Sequence, residues 1–258
     1  MGNDKQENMG VKMEWPTFEV SEKPIDVICK ISRFYGSDVE FVIAGGGNTS
    51  VKVGDRLWVK GSGVALATIG EKGFVEMDRG ALERILNTEA GGDREKREEK
   101  FKADVMAARV RPERGQRASV EVVLHHLMPR RYVVHTHSTV VNMFTCCEGG
   151  EGLVRELLGE GAIWVADVDP GLVLAQTIRE AIKEYAKKTG KDCPRAIVMQ
   201  NHGLLVCGDT AEEVKGNTDW VIGRLTEGSG VRGQGSGFGG QGSGAFGEVQ
   251  RMEGARVR

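Results

Sequence analysis

A chain of 258 residues, 40% of them hydrophobic, is long enough to bury a sizeable core, and one domain with appendages accounts for it better than two small ones. The formal net charge of −2 leaves no basic surplus for gripping a phosphate backbone and no acidic surplus for a solvating tail, so nucleic acid is not a favoured partner. No apolar run approaches the ~20 residues that span a bilayer, and the opening "MGNDKQENMG" lacks the apolar segment of a signal peptide, so the expectation is a cytoplasmic chain without a membrane partner.

Residues 1–23 read as an N-terminal extension. "PIDVICKISRFYG" (24–36) opens with Pro, closes with Gly and spaces Val27, Ile31, Phe34 and Tyr35 at helical intervals, which predicts a first helix. "EFVIA" (40–44) and "RLWVK" (56–60) are short β-rich runs beside glycines and are expected as core strands, as are "RYVVHTH" (131–137) and "RAIVMQN" (195–201). Between them lie helical patterns: "DRGALERILN" behind a plausible Asp78 cap, "ASVEVVLHHLM", "GLVLAQTIREAIKEYAKKTG", and "TAEEVKGNTDWVIGRL" with Thr210 and Glu213 spaced as a capping box. This alternation predicts a layered α/β domain over 24–226, with mixed or antiparallel strand order left open. The charge-dense stretch 87–117, which includes "GGDREKREEKFKADVMAARVRPERGQR", reads as a solvated, exposed insertion. From 227 to 258 the glycine-rich composition cannot offset its ordering entropy and predicts a disordered tail. The five cysteines (Cys29, Cys146, Cys147, Cys193 and Cys207) are odd in number and form no C-x-x-C, so reduced, mostly buried thiols are expected in place of disulfides or a thiolate zinc site.

Two of the five histidines stand in "VVHTHSTVV". In a strand, residues i and i+2 share a face, so His135 and His137 place two imidazoles side by side. Such a pair is as often hydrogen-bonded or superficial as it is ligating. A third imidazole shifts the balance: in "VMQNHGLLVCG", His202 sits where a β-rich run meets Gly203 and the backbone can turn sharply. Three nitrogen ligands suit Zn²⁺ and leave one coordination position open, as catalytic zinc requires. Glu121, in "ASVEVVLHH", supplies a carboxylate that can ligate or move protons beside such a site. His125, four residues on along a helix, is placed to orient that carboxylate, and His126 reads as a packing or surface residue.

"IAGGGNTSVK" and "WVKGSGVAL" each follow a β-rich run with a small-residue turn. Such turns can point backbone N–H groups at an anion, with Asn48, Ser50 and Ser62 adding donors, although isolated examples are more often plain loops. Neither matches the glycine pattern of a nucleotide-binding loop. Ser119, two residues before Glu121, could complete a phosphate cradle.

In this order, "GGGNTS", "KGSG", "ASVEVVLH", "HTH" and "NHG" resemble the class II aldolase/adducin family, and within it the rhamnulose-1-phosphate aldolase type. The resemblance implies a three-layer α/β/α domain around a mostly antiparallel sheet, assembled as a homo-oligomer, typically a tetramer. It implies one Zn²⁺ held by His135, His137 and His202, with Glu121 as the acid/base. It also implies phosphate contacts at Asn48, Ser50, Gly61, Ser62 and Ser119, and a sugar phosphate as the small-molecule partner. The activity it implies is cleavage of a ketose 1-phosphate to dihydroxyacetone phosphate and an aldehyde, with Glu121 moving the proton at the enediolate carbon. Two rivals are epimerisation of a pentulose phosphate or dehydration of a thio-sugar phosphate on the same metal site. A third, a non-enzymatic adducin-like module, ranks last because all three histidines are present. The chain departs from the family at Ala118-Ser119-Val120-Glu121, where many members read Pro-Ser-Ser-Glu, and at Lys60 beside the second glycine turn. These changes bear on substrate and leave the ligand set intact.

Overall fold

The computed structural model describes residues 13–89 and 92–229. Among the described residues, seven strands form one sheet: β1 (Asn48–Val53), β2 (Arg56–Lys60), β3 (Phe74–Asp78), β4 (Tyr132–Thr136), β5 (Ala162–Val165), β6 (Ala196–Met199) and β7 (Gly203–Gly208). Their spatial order is β3-β2-β1-β4-β7-β6-β5. Every neighbouring pair is antiparallel except β5 with β6. Eight α-helices cover its faces among the described residues: α1 (Pro24–Gly36), α2 (Arg79–Leu86), α3 (Arg94–Ala107), α4 (Val122–Leu127), α5 (Thr139–Thr145), α6 (Gly150–Leu158), α7 (Leu172–Thr189) and α8 (Ala211–Ser229).

Alternation along the strands creates two cores. Val134, Leu204, Val206, Ala196 and Val198 face α1, α5, α6 and α8, while Val133, Leu205, Ile197 and Met199 face α2, α3, α4 and α7. A sheet covered on both faces is a three-layer α/β/α domain, as the resemblance implied. Local signals work as read at several helix starts. Asp78 Oδ1 accepts from Ala81 N–H at 2.7 Å, capping α2, and Pro24 occupies the first turn of α1. At α8, Glu213 N–H donates to Thr210 Oγ1 (3.1 Å), while the Glu213 carboxylate returns to Asp209 N–H (2.7 Å), one residue earlier than a capping box would place it.

Four expectations need correction. Residues 40–44 are turn, not strand: Phe41 and Val42 N–H both bond back to Asp38 O, and Ala44 adopts a left-handed φ of 54° that breaks an extended run. Phe41 and Val42 are still buried, so the apolar character of the segment was right and its conformation wrong. The stretch 87–117 is not a purely exposed excursion. It contains α3, capped by Asp93, and buries Phe101 (2% exposed) and Val105 (1%) in the second core. Helix α4 begins only at Val122, so Glu121 is its N-cap residue and not an interior helical position. The expected tail begins three residues too early, because α8 runs to Ser229; its remainder lies outside the described residues. Of the N-terminal extension, Trp15 and Phe18 pack on the first core, with the Trp15 ring 4.8 Å from that of Phe34.

Candidate metal centre

The two central strands β4 and β7 position the cluster. Register sets Thr136 opposite Leu204 and His135 opposite Leu205, and β1 runs on the other side with Asn48 opposite His135. His135 is buried, and its Nδ1 donates to Leu204 O at 2.9 Å. A carbonyl only accepts, so this bond fixes the proton on Nδ1 and leaves the Nε2 lone pair directed away from it. His137 lies one residue beyond β4, its N–H bonded to Phe41 O at 3.1 Å. Its Nε2 lies 3.0 Å from His135 Nε2.

His202 arrives from the tight turn between β6 and β7. Asn201 adopts a left-handed φ of 56°, and His202 N–H bonds back to Met199 O at 3.2 Å. Gly203 must be small, since a Cβ there would meet Thr136 O at 2.4 Å and His137 Cδ2 at 3.1 Å. Glu121 completes the group: its Oε1 is 3.1 Å from His202 Nε2 and 3.4 Å from His135 Nε2, and its Oε2 accepts from Asn48 Nδ2 at 3.3 Å.

Ligand atoms of Glu121, His135, His137 and His202 all lie within 4.8 Å of one another. Ligands bonded at roughly 2.0–2.1 Å in a tetrahedron stand ~3.3 Å apart, the scale of the separations here. Lone pairs of two imidazoles and a carboxylate repel at that range unless a proton or a cation lies between them. Burial holds His135 down to about 4 and also lowers His137, so both are neutral near pH 7, the form that ligates a metal. Burial alone would raise the Glu121 carboxyl, but attraction to His135 and the hydrogen bond from His202 outweigh it and keep the group ionised below the usual carboxylate range. Three nitrogens and a carboxylate, one nitrogen locked in tautomer, fit a divalent metal.

The family model described as "Class II Aldolase and Adducin N-terminal domain" matches residues 26–222. The chain belongs to that family. Among solved structures, the N-terminal class II aldolase domain of a conserved protein from Thermoplasma acidophilum is 26% identical, with a TM-score of 0.69 over 83% of this chain and 96% of that one. A sugar-phosphate aldolase from Thermotoga maritima shares the fold at a TM-score of 0.52 and 13% identity, over 80% of this chain and 93% of that one. The uncharacterized oxidoreductase YuxG of Bacillus subtilis (strain 168) is 27% identical over 215 residues, which cover 78% of this chain. The match spans only 29% of YuxG, so this class II aldolase domain corresponds to less than a third of that relative.

Within the class II aldolase domain, the residues expected to contact phosphate separate into two groups. Gly61 pairs with Ala118 in an isolated bridge, and Ser62 N–H bonds to Arg117 O, so Gly61, Ser62 and Ser119 come to one place. Ser62 is exposed and Ser119 partly so, while Gly61 N–H is taken by Gly73 O at 2.8 Å. Lys60 Nζ donates to Val64 O (3.0 Å) and Gly45 O (3.4 Å), tying the two glycine turns together. Ser50 is placed elsewhere: it is buried in β1 with its Oγ 2.8 Å from His125 Nδ1, out of reach of a ligand at the surface. Asn48 is buried too, and its amide N–H is committed to Glu121. Two roles escaped the sequence reading. His125 bonds Ser50 instead of orienting Glu121, and that orienting role falls to Asn48; alternation along "NTSVKV", which sets Asn48 and Ser50 on one strand face, was the available signal. The Leu204 carbonyl, a backbone group, had no signal at all.

Proposed function

We propose that the chain is a zinc-dependent aldolase of the rhamnulose-1-phosphate type, cleaving a ketose 1-phosphate to dihydroxyacetone phosphate and an aldehyde. The convergence of Glu121, His135, His137 and His202 on one point carries this reading. His135, His137 and His202 would hold the metal. When bound, Zn²⁺ supplies Lewis-acid polarisation of a ketone oxygen and its neighbouring hydroxyl. Glu121, ionised and held by Asn48, takes or returns the proton at the reacting carbon. Ser62 and Ser119 bind the substrate phosphate, and Lys60 holds the glycine turns that frame it.

Assembly as a homo-oligomer belongs to the same proposal. Val39 (70% exposed), Ile43 (69%) and Met143 (49%) stand on the loop and helix flanking His137, an apolar rim suited to a second copy. No described helix is long and apolar enough to cross a membrane, and the free cysteines suit a reducing cytoplasm.

Elemental analysis of the purified chain, followed by a dihydroxyacetone phosphate release assay over ketose 1-phosphates, tests the reading. About one zinc per chain and phosphate-dependent cleavage are expected, both lost in His135→Ala/His137→Ala. Equal zinc in the two proteins would refute the ligand set. Epimerised or dehydrated product without dihydroxyacetone phosphate would replace the cleavage chemistry.

A further inference from the structure

The sulfur atoms of Cys193 and Cys207 lie 3.4 Å apart. Cys207 is buried in β7, and Cys193 stands partly exposed in the loop that leads from α7 to β6. They belong to neither the metal cluster nor the phosphate turns: His202 precedes the first residue of β7 and Cys207 is next to its last, ~13–17 Å along the strand. Their closeness comes from the antiparallel register, which pairs Ala196 with Val206 and so brings the segment before β6 alongside Cys207.

Two basic side chains look onto the pair. Lys52 is buried in β1, on the sheet face that carries Cys207, and donates to Arg130 O at 2.9 Å. Arg130 forks onto Asp192, the neighbour of Cys193, at 2.7 and 2.8 Å. The thiols are unequal. The hydrogen bond from Cys207 draws the Cys193 thiol down, with attraction from Arg130 and Lys52 working against burial and Asp192. Hydrogen bonding to Cys193 and burial push Cys207 up. An accessible, thiolate-prone sulfur beside a buried, proton-bearing one is the arrangement in which the first is oxidised and the second resolves it.

We propose that Cys193 and Cys207 form a reversible oxidation site that takes a hydroperoxide as oxidant. The Cys193 thiolate attacks one peroxide oxygen, the O–O bond breaks, and the departing oxygen leaves as water after taking one proton. Cys193 is then a sulfenic acid, oxidised by two electrons. Cys207 sulfur attacks it, an S–S bond forms, the S–O bond breaks, and the Cys207 proton leaves with the hydroxide as a second water. In sum two thiols and one hydrogen peroxide give one disulfide and two waters. The bridge would tie the loop before β6 to the centre of the sheet.

The test treats the purified full-length chain with a few equivalents of hydrogen peroxide, blocks remaining thiols with iodoacetamide and digests with trypsin. Peptides 192–195 and 196–215 should appear joined, two hydrogens lighter than their sum, and dithiothreitol should separate them. At pH 7, loss of alkylatable Cys193 should outpace that of exposed Cys146 by about tenfold or more. In Cys207→Ser the sulfenic acid should persist on Cys193 and be trapped by dimedone. Full alkylation of Cys193 after peroxide, oxidation no faster than that of Cys146, or pairing of Cys193 only with other cysteines would each overturn the assignment.

Discussion

Glu121 meets two imidazoles and one amide at once: His202 at 3.1 Å, Asn48 at 3.3 Å and His135 at 3.4 Å. That crowding separates the roles open to it. As a proton carrier it must ionise, whereas as a ligand it need only offer an oxygen. Gln is nearly isosteric and still offers a carbonyl oxygen, but it cannot take a proton in the relevant pH range. On the proposed reading, Glu121→Gln is therefore expected to keep its bound metal while kcat falls by about 10²–10⁴-fold and KM changes little. Zinc lost together with activity would make Glu121 chiefly a ligand, and near-normal kcat would remove it from the chemistry.

Elements matter here through how closely they pass. Strand β7 starts against the Thr136 carbonyl, where a Cβ on residue 203 would sit 2.4 Å from that oxygen. Backbone cannot move aside as a flexible side chain can, so Gly203→Ala must shift the start of β7 and with it Leu204 O, the partner of His135 Nδ1. The expected cost is about 1–3 kcal/mol in urea unfolding, with weakened retention of the proposed metal after dialysis. Unchanged zinc affinity would show that the turn tolerates the shift. Helix α3 makes the opposite point. Its sequence "REKREEKFKADVMA" reads as solvated because charge dominates, yet Phe101 and Val105, four residues apart, form a narrow stripe that docks in the second core. Phe101→Ala should destabilise the chain by about 3–5 kcal/mol, as for other buried aromatics. A loss under about 1 kcal/mol in the same unfolding measurement would return the segment to the exposed insertion first expected.

At the scale of the whole molecule, burying a helical histidine of α4 against the sheet makes stability depend on pH. His125 is enclosed, bonded to Ser50, and burial pushes its pKa down to about 3. In the unfolded chain it titrates near ~6.5. Between those values the unfolded state holds the proton and the folded state does not, so unfolding is favoured as pH falls. The neutral-pH stability is intact above about 6.5 and declines toward 3, by up to about 1.4 kcal/mol per pH unit for this group. Tm measured from pH 7 to 4 should fall, and His125→Gln, which keeps a hydrogen-bonding partner for Ser50 without a titrating group, should fall less steeply. Parallel slopes for the two proteins would assign the acid sensitivity elsewhere, His135 being the next buried candidate.

Much of the site was legible in one dimension because its chemistry is local. His135 at the end of β4 and His137 just beyond it bring their Nε2 atoms together as the i, i+2 spacing suggested, Gly203 marks a close approach beside His202, and Asp78 caps the helix that follows it. Those features depend on residue type and on spacing of a few positions, which sequence states directly. Tertiary structure decided what depends on neighbours distant in the chain. Residues 40–44 have the composition of a strand but no strand partner, so they turn, while "NTSVKV" becomes a strand because β2 and β4 pair with it on both sides. Ser50 carries a hydroxyl suited to a phosphate, yet its strand face turns it toward His125, and Asn48, read as a ligand donor, is spent on Glu121. The physical reason is the same in each case. A hydrogen-bonding group in a buried site can pair only with what the fold places within about 3 Å, and only the folded chain determines which group that is.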